Sequence, residues 1–219
     1  MTVVAIDGPA GAGKSTVARA VARALGFDYL DTGAMYRAVA LAALERNHPP
    51  DDSDALASLA ESIQIELRGE QVMLDGRDVS VAIRNDPVTA IVSRVAAVPG
   101  VRRAMAVRQR RIAESSDVVM EGRDIGTAVA PDAEVKIFLT ASIRERAERR
   151  AMQLGLAAEE GAVEALVRSI EERDQADASR SDSPLIRADD AVLIDSTSKG
   201  VEEVVEEIAR VVRRVLDER

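Results

Sequence analysis

Two periods of apolar residues run along the chain and predict its elements. Val3–Ile6 is a short β-branched apolar run, the pattern of a buried parallel strand. Val17, Ala18, Val21, Ala22 and Leu25 then recur at helical spacing, and Gly26 predicts the stop. Phe27–Leu30 reads as a second strand, followed by an Ala/Leu-rich helix to about Arg46 that Asp31 or Thr32 can cap. A third apolar strand is expected at Asp117–Met120, a fourth at Val135–Leu139 and a fifth at Val192–Ile194. Residues 200–216 carry an apolar stripe of Val201, Val204, Val205, Ile208, Val211, Val212 and Val215, which predicts a closing amphipathic helix.

Between the second and third strands the pattern changes. Asn47–Asp54 is polar with two prolines and reads as a connection, and Ala55–Ser62 as a short helix. Ile63–Leu67, Val72–Leu74 and Val79–Val81 are short alternating or apolar runs around Gly69 and Asp75-Gly76, which predicts a small meander at about 62–84. Pro87 starts a helix carrying Ser93, Pro99 breaks it, and Val101–Ala113 forms another with five Arg and no acid. Most of those Arg read as a solvated face; Arg102, at the helix start, is singled out. After the fourth strand comes a charged helical stretch, 142–180, with Arg144, Arg146, Arg149 and Arg150 clustered at its start.

Composition narrows the chemistry. The 219 residues contain no Cys and one His, His48, which excludes disulfides and thiol catalysis and leaves no material for a His-based triad or metal site. The net charge of −9 and the two Tyr and two Phe argue against nucleic-acid binding. No apolar run approaches a membrane span, and the N-terminus carries no basic, cleavable leader, so a cytoplasmic address is expected. Of the 29 basic residues all but Lys14, Lys136 and Lys199 are Arg, the forked partner of phosphate.

The strongest motif is Gly8-Pro-Ala-Gly-Ala-Gly13-Lys14-Ser15, which fits G-x-x-x-x-G-K-[ST] and lies between a predicted strand and a predicted helix. The loop Gly8, Pro9, Ala10, Gly11, Ala12 and Gly13 would bind ATP, its backbone N–H groups curling around phosphate oxygens at a helix start. Lys14 would reach the β- and γ-phosphates, with Ser15 on Mg²⁺ and Thr16 beside it. D-x-x-G and N-K-x-D strings are absent, as is the transporter ATPase signature, so neither a GTPase nor a transporter ATPase is indicated. The strand Asp117–Met120 runs into Glu121, an arrangement similar to Walker B in which a carboxylate holds Mg²⁺ directly or through water. With strand two expected beside strand one, Arg37 would face a second anion near the first. A solvated Arg37, a merely capping Asp124, and a surface salt-bridge set of Arg173, Asp177 and Arg180 on one helix face are the plainer alternatives.

Taken together, Gly8–Ser15, Asp31-Thr-Gly-Ala-Met-Tyr-Arg37, Glu121-Gly-Arg-Asp-Ile-Gly126, Glu172-Arg-Asp174 with Asp177 and Arg180, and Asp195-Ser-Thr197 resemble bacterial cytidylate kinases over essentially the whole chain. Glu121 stands where that family often has Asp, and Thr32 where Ser is common. The resemblance implies an α/β fold of the P-loop NTPase type, a three-layer sandwich on a five-stranded parallel sheet. It also implies a core of 1–50, 99–141 and 188–219, a β-rich nucleotide-binding insert at about 51–98, and a helical lid at about 142–187.

The same resemblance implies transfer of the γ-phosphoryl group of ATP to CMP or dCMP, with Mg²⁺ as cofactor held by Ser15 and Glu121. By that likeness Arg37, Arg123 and Arg180 hold the monophosphate. Ser93, Arg102 and Asp124 read cytosine, Arg173 and Asp177 the sugar, and Thr32 and Tyr36 line the pocket. Lys14, Arg123, Arg149 and Arg180 carry catalysis, Arg149 reaching ATP from the lid. The partners are these nucleotides alone, with no nucleic acid or membrane, and the protein is expected to be a monomer. Another small-molecule kinase, for UMP or shikimate, and a non-catalytic nucleotide-binding regulator are the competing readings.

Overall fold

In the computed structural model, which describes residues 1–180 and 182–218, eight strands and eight α-helices follow one another among the described residues. Ser181 and Arg219, which fall in the expected lid and last core segment, lie outside the described residues. In chain order the first elements are β1 (Val3–Asp7), α1 (Lys14–Leu25), β2 (Asp28–Asp31), α2 (Thr32–Glu45) and α3 (Ser53–Ser62). Then come β3 (Ile65–Arg68), β4 (Gln71–Leu74), β5 (Arg77–Asp78), α4 (Asp86–Ala97), α5 (Pro99–Ala113) and β6 (Val118–Glu121). The last are β7 (Val135–Thr140), α6 (Ile143–Leu154), α7 (Ala162–Ala178), β8 (Val192–Asp195) and α8 (Val201–Asp217). A 3-10 turn, Ala82–Arg84, and a π-helical turn, Ile125–Val129, complete them. Two units divide the chain: Met1–Tyr29 with Ser116–Arg219, and Leu30–Ser115.

The first unit is built on a five-stranded parallel sheet of order β2-β6-β1-β7-β8. The expectation that strand two lies beside strand one is overturned, because β6 sits between them. The reason is burial. All four residues of β6 are buried, which suits an interior position, whereas β2 opens with an exposed Asp28 and a half-buried Tyr29 and suits an edge. Ile6 is opposite Glu121 in the register, so the glycine loop after β1 and the carboxylate ending β6 emerge side by side.

Helices α1 and α8 share the main core with this sheet. Val17, Ala18 and Val21 of α1 meet Val204, Ile208 and Val212 of α8 in one cluster with Val4, Ile6, Ile137 and Leu139. Each such Val, Ile or Leu side chain contributes about 1.5–3 kcal/mol on burial. The predicted α8 stripe begins one turn later than expected, because Val201 is exposed. Lys199 pairs with Glu207 across the start of that helix. The charged stretch after β7 is two helices, α6 capped by Ser142 and ended by Gly155, then α7.

The second unit gathers α2, which buries ten of its residues, with α3, α4, α5 and an antiparallel meander β3-β4-β5. Asp31 caps α2 by accepting the Ala34 N–H at 2.9 Å. Leu74 pairs with Arg77, so Asp75-Gly76 is a two-residue turn with both φ positive, 48° and 79°, as a tight hairpin of matched twist requires. The third strand is Arg77–Asp78 rather than Val79–Val81. The Asp78 carboxylate captures the Ser80 N–H and hydroxyl, at 2.9 and 2.6 Å, and the Ser80 hydroxyl replaces a backbone carbonyl as acceptor for the Val72 N–H at 2.9 Å.

Candidate active site

The glycine loop leaves β1 at Gly8, where a Cβ would come within 2.0 Å of the Leu139 carbonyl oxygen; no other residue fits. Gly13, with φ 89°, turns the chain into α1, so the loop ends on a helix N-terminus whose N–H groups and dipole suit an anion. Lys14 is the first helical residue. It is 6% exposed and its Nζ donates to the Pro9 carbonyl at 2.8 Å, lying back along the loop. Burial pulls its pKa down to about 7. The Arg123 charge pulls the same way, against the attraction of Glu121 and Asp7.

Ser15 and Glu121 meet at the loop's edge. The Ser15 hydroxyl donates to Glu121 Oε2 at 2.9 Å, and the Tyr29 hydroxyl, beneath the Arg19 guanidinium, donates to Oε1. Glu121, one methylene longer than Asp, thus spans from β6 to α1. A hydroxyl and a carboxylate are hard oxygen donors of the kind Mg²⁺ takes alongside substrate phosphates. No group of three or more His, Cys, Asp or Glu suited to a metal occurs among the described residues.

The segment after Glu121 forms the arginine-lined part of this unit. Arg123 Nε donates to Asp177 Oδ2 at 3.0 Å, and Arg180 reaches the other oxygen of Asp177. Asp177 is 2% exposed, so the plainer reading of a solvated surface set does not hold for it. The expectation that Arg180 shares a helix face with Arg173 and Asp177 is overturned. Helix α7 ends at Ala178 and Arg180 lies past its C-cap Ser179. Asp124 is buried and occupies the N-cap position of the π-helical turn, yet its side chain makes no capping bond. Asp7 makes that bond instead, accepting the Ile125 N–H at 2.9 Å and the Gly126 N–H at 2.8 Å.

From α6, Arg149 donates to the Ser196 hydroxyl and carbonyl at 3.1 and 2.8 Å. Ser196 in turn donates to the Ala12 carbonyl at 3.2 Å, tying the Asp195-Ser-Thr197 motif to the glycine loop. Sequence reasoning missed Arg146, which is the buried member of the cluster. It donates to the Ala10 carbonyl at 3.1 Å, the Ala141 carbonyl at 3.1 Å and Asp174 at 2.5 Å. Local pattern gives no signal for it: the buried i, i+4 pair of α6 is Ala147 and Ala151, and Arg146 lies beside that stripe, not on it.

Within the second unit the motif residues of α2, α4 and α5 have definite anchors. Arg37 donates through Nη1 to the Ile83 carbonyl and the Thr89 hydroxyl, both at 3.0 Å. Arg102 is 5% exposed, donates to the Ala96 carbonyl at 3.1 Å and lies over the Tyr36 ring at 5.6 Å. Thr32 is buried and Ser93 half-buried. Of the other α5 arginines, Arg108 turns inward to the Glu61 and Ile63 carbonyls, while Arg103, Arg110 and Arg111 are exposed.

Residues 4–214 match the family model for cytidylate kinase. A cytidylate kinase from Symbiobacterium thermophilum is 48% identical over 217 residues, 97% of this chain and 96% of the relative. One from Solibacter usitatus is 49% identical over 213 residues, 96% and 92% of the two chains. A bifunctional pantoate ligase/cytidylate kinase from Synechococcus sp. is 50% identical over 222 residues, 98% of this chain and 41% of that longer protein. Among solved structures, an uncharacterized protein from Eubacterium ventriosum has the same fold, with a TM-score of 0.55 at 12% identity over 97% of this chain and 99% of that one. A glycine loop on β1, a carboxylate ending the neighbouring strand and a full-length match of this strength lead to one conclusion: the chain belongs to the cytidylate kinase family.

Proposed function

We propose that the protein transfers the γ-phosphoryl group of ATP to CMP or dCMP, giving CDP or dCDP and ADP. The observation that carries this reading is the presence, within one unit, of the glycine loop with Lys14 and of the Arg123–Asp177–Arg180 cluster, of which Arg123 acts electrostatically on Lys14. Two polyanions can react only if their repulsion is neutralised. A loop of N–H donors and a lysine serve the triphosphate, and arginines serve the monophosphate.

Mg²⁺ bound with ATP supplies further charge neutralisation on the phosphates, and Ser15 and Glu121 are the residues that fit it. The chain's own groups then orient the reactants. Lys14 and the helix start hold the donor phosphates in line, while Arg123 and Arg180 of the same unit serve the acceptor phosphate; Arg37, in the second unit, is a further phosphate-binding group by the family likeness. No general base is required, because the second ionisation of a phosphate monoester lies near pH 6 and its oxygen is already anionic at neutral pH. That fits a chain without Cys and with His48 as its one histidine.

By the family likeness, cytosine selection falls to Asp124 in the first unit and to Arg102 and Ser93 in the second. A carboxylate accepts from the N4 amino group, and Arg and Ser donate to N3 and O2. Uracil would set O4 against the Asp124 carboxylate, acceptor facing acceptor. Arg173 and Asp177 serve the sugar, and Arg149 and Arg146 steady the loop from α6, in a segment we read as the lid. The protein acts as a monomer on free nucleotides in the cytoplasm; no helix among the described residues is long and apolar enough to cross a membrane.

The test is a panel of acceptors, CMP, dCMP, UMP, AMP and shikimate, each with MgATP and with product identified chromatographically. CDP and dCDP forming fastest supports the reading. UMP or shikimate as the better acceptor overturns it.

A further inference from the structure

We propose that Asp7 is a positioning residue for nucleobase selection: it fixes the backbone of the Glu121–Gly126 loop and thereby sets where Arg123 and Asp124 stand. The inference rests on the proposed reading of Asp124 as the cytosine acceptor and adds a residue to it.

The π-helical turn Ile125–Val129 starts with backbone N–H groups that no helical carbonyl can satisfy. These donors sit in a buried loop, where an unmet hydrogen bond is expensive. The residue at the cap position, Asp124, leaves them to another group. Asp7 supplies it from β1, with one oxygen on Ile125 N–H at 2.9 Å and the other on Gly126 N–H at 2.8 Å. The contact links residues 118 and 119 positions apart and is itself buried.

Both oxygens of Asp7 are thus committed to the two residues immediately following Asp124. The loop cannot slide along β1 without losing one bond or both. Gly126 tightens the arrangement, because a Cβ there would press on the Lys136 side chain at 3.1 Å and approach Asp7 Oδ2 at 3.5 Å. Two buried aspartates therefore divide the work. Asp7 does the structural capping, and the Asp124 carboxylate, 6% exposed, has no part in it.

Asp7 is also the last residue of β1 before the glycine loop, so a merely structural role would disturb both substrates equally. A positioning role has a different signature. Asp7→Asn keeps one acceptor and turns an amide donor toward a backbone donor. It is expected to raise KM for CMP by about tenfold, the scale of one good bidentate contact, and to narrow the CMP-over-UMP preference by a similar factor. KM for ATP should change less than about twofold, well under one such contact. Amide hydrogen exchange at Ile125 and Gly126 should accelerate. Where Asp7→Asn does not fold, Asp7→Glu, which retains two acceptors on a longer arm, serves the same comparison.

Parallel rises in both KM values, an unchanged CMP-over-UMP ratio, or exchange at Ile125 and Gly126 identical to the parent overturns the proposal. The wild-type enzyme run alongside separates the two readings. If it does not favour CMP over UMP, the function reading has failed. If it does, and Asp7→Asn leaves that preference intact, the positioning role alone has failed.

Discussion

Arg123 donates through Nε to Oδ2 of Asp177 at 3.0 Å, on a carboxylate that is almost wholly buried. Arg180 holds the other oxygen, so one aspartate keeps two guanidinium groups at fixed positions. Removing a partner from such a buried set leaves charges uncompensated, which costs more than the pair contributes. Asp177→Ala should therefore lower the unfolding free energy by about 3–5 kcal/mol, measured by denaturant titration. A loss below about 1 kcal/mol, the scale of a surface pair, would contradict the burial argument.

Lys14 lies inside the loop with its amine depressed toward neutrality by burial. Lys14→Ala should reduce turnover on the order of 10²–10³-fold, the scale for losing one preorganised donor at a developing charge. Its unfolding midpoint should stay level or rise, since a buried cation has been removed. Steady-state kinetics and thermal unfolding on the same preparation check both. Near-normal turnover would show that the loop does not hold the reacting phosphates through this residue.

Asp124→Ala should flatten selection between pyrimidines. The parent should prefer CMP to UMP, and the variant should lose about 1–3 kcal/mol of that preference, read from the ratio of kcat/KM values. An unchanged ratio would assign cytosine reading to other side chains.

Asp7 gives the chain a pH signature. Burial raises its carboxyl from 3.8 to about 6, despite the two backbone N–H bonds that lower it. The folded state then binds a proton that the unfolded chain does not bind between about pH 6 and pH 4. Its contribution to stability grows as pH falls through that window and is lost as pH rises through about 6. Relative to Asp7→Asn, the wild type should gain up to about 3 kcal/mol between pH 7 and pH 4 at 1.36 kcal/mol per pKa unit. Unfolding free energies of both proteins across that range measure it. A difference that is flat with pH would place the Asp7 carboxyl near its ordinary value.

Much of this structure is legible in local pattern. The β-branched run of β1, the i, i+4 spacing of α1 and α8 and the two-residue Asp75-Gly76 turn each carry their own signal, and the elements stand within a residue or two of expectation. What local pattern does not carry is who neighbours whom. The edge place of β2 follows from β6 being buried on both faces, a property of the assembled sheet. Helix α7 stops at Ala178 without a Gly or Pro to announce it, which moved Arg180 off the expected face. Arg146 and Arg149 read alike as letters. Only the packing of α6 shows that Arg146 is buried against Ala10 and Arg149 is held by Ser196. Asp7 and Tyr29 act through residues more than 90 positions away and leave no short-range trace.

The most direct test of phosphoryl transfer between two nucleotides is ADP release from MgATP, followed by a coupled assay with and without CMP. Transfer requires that ADP appear in step with CDP when CMP is present and stay at background when it is absent. ADP released at the same rate without CMP, or none released with it, would contradict the central claim.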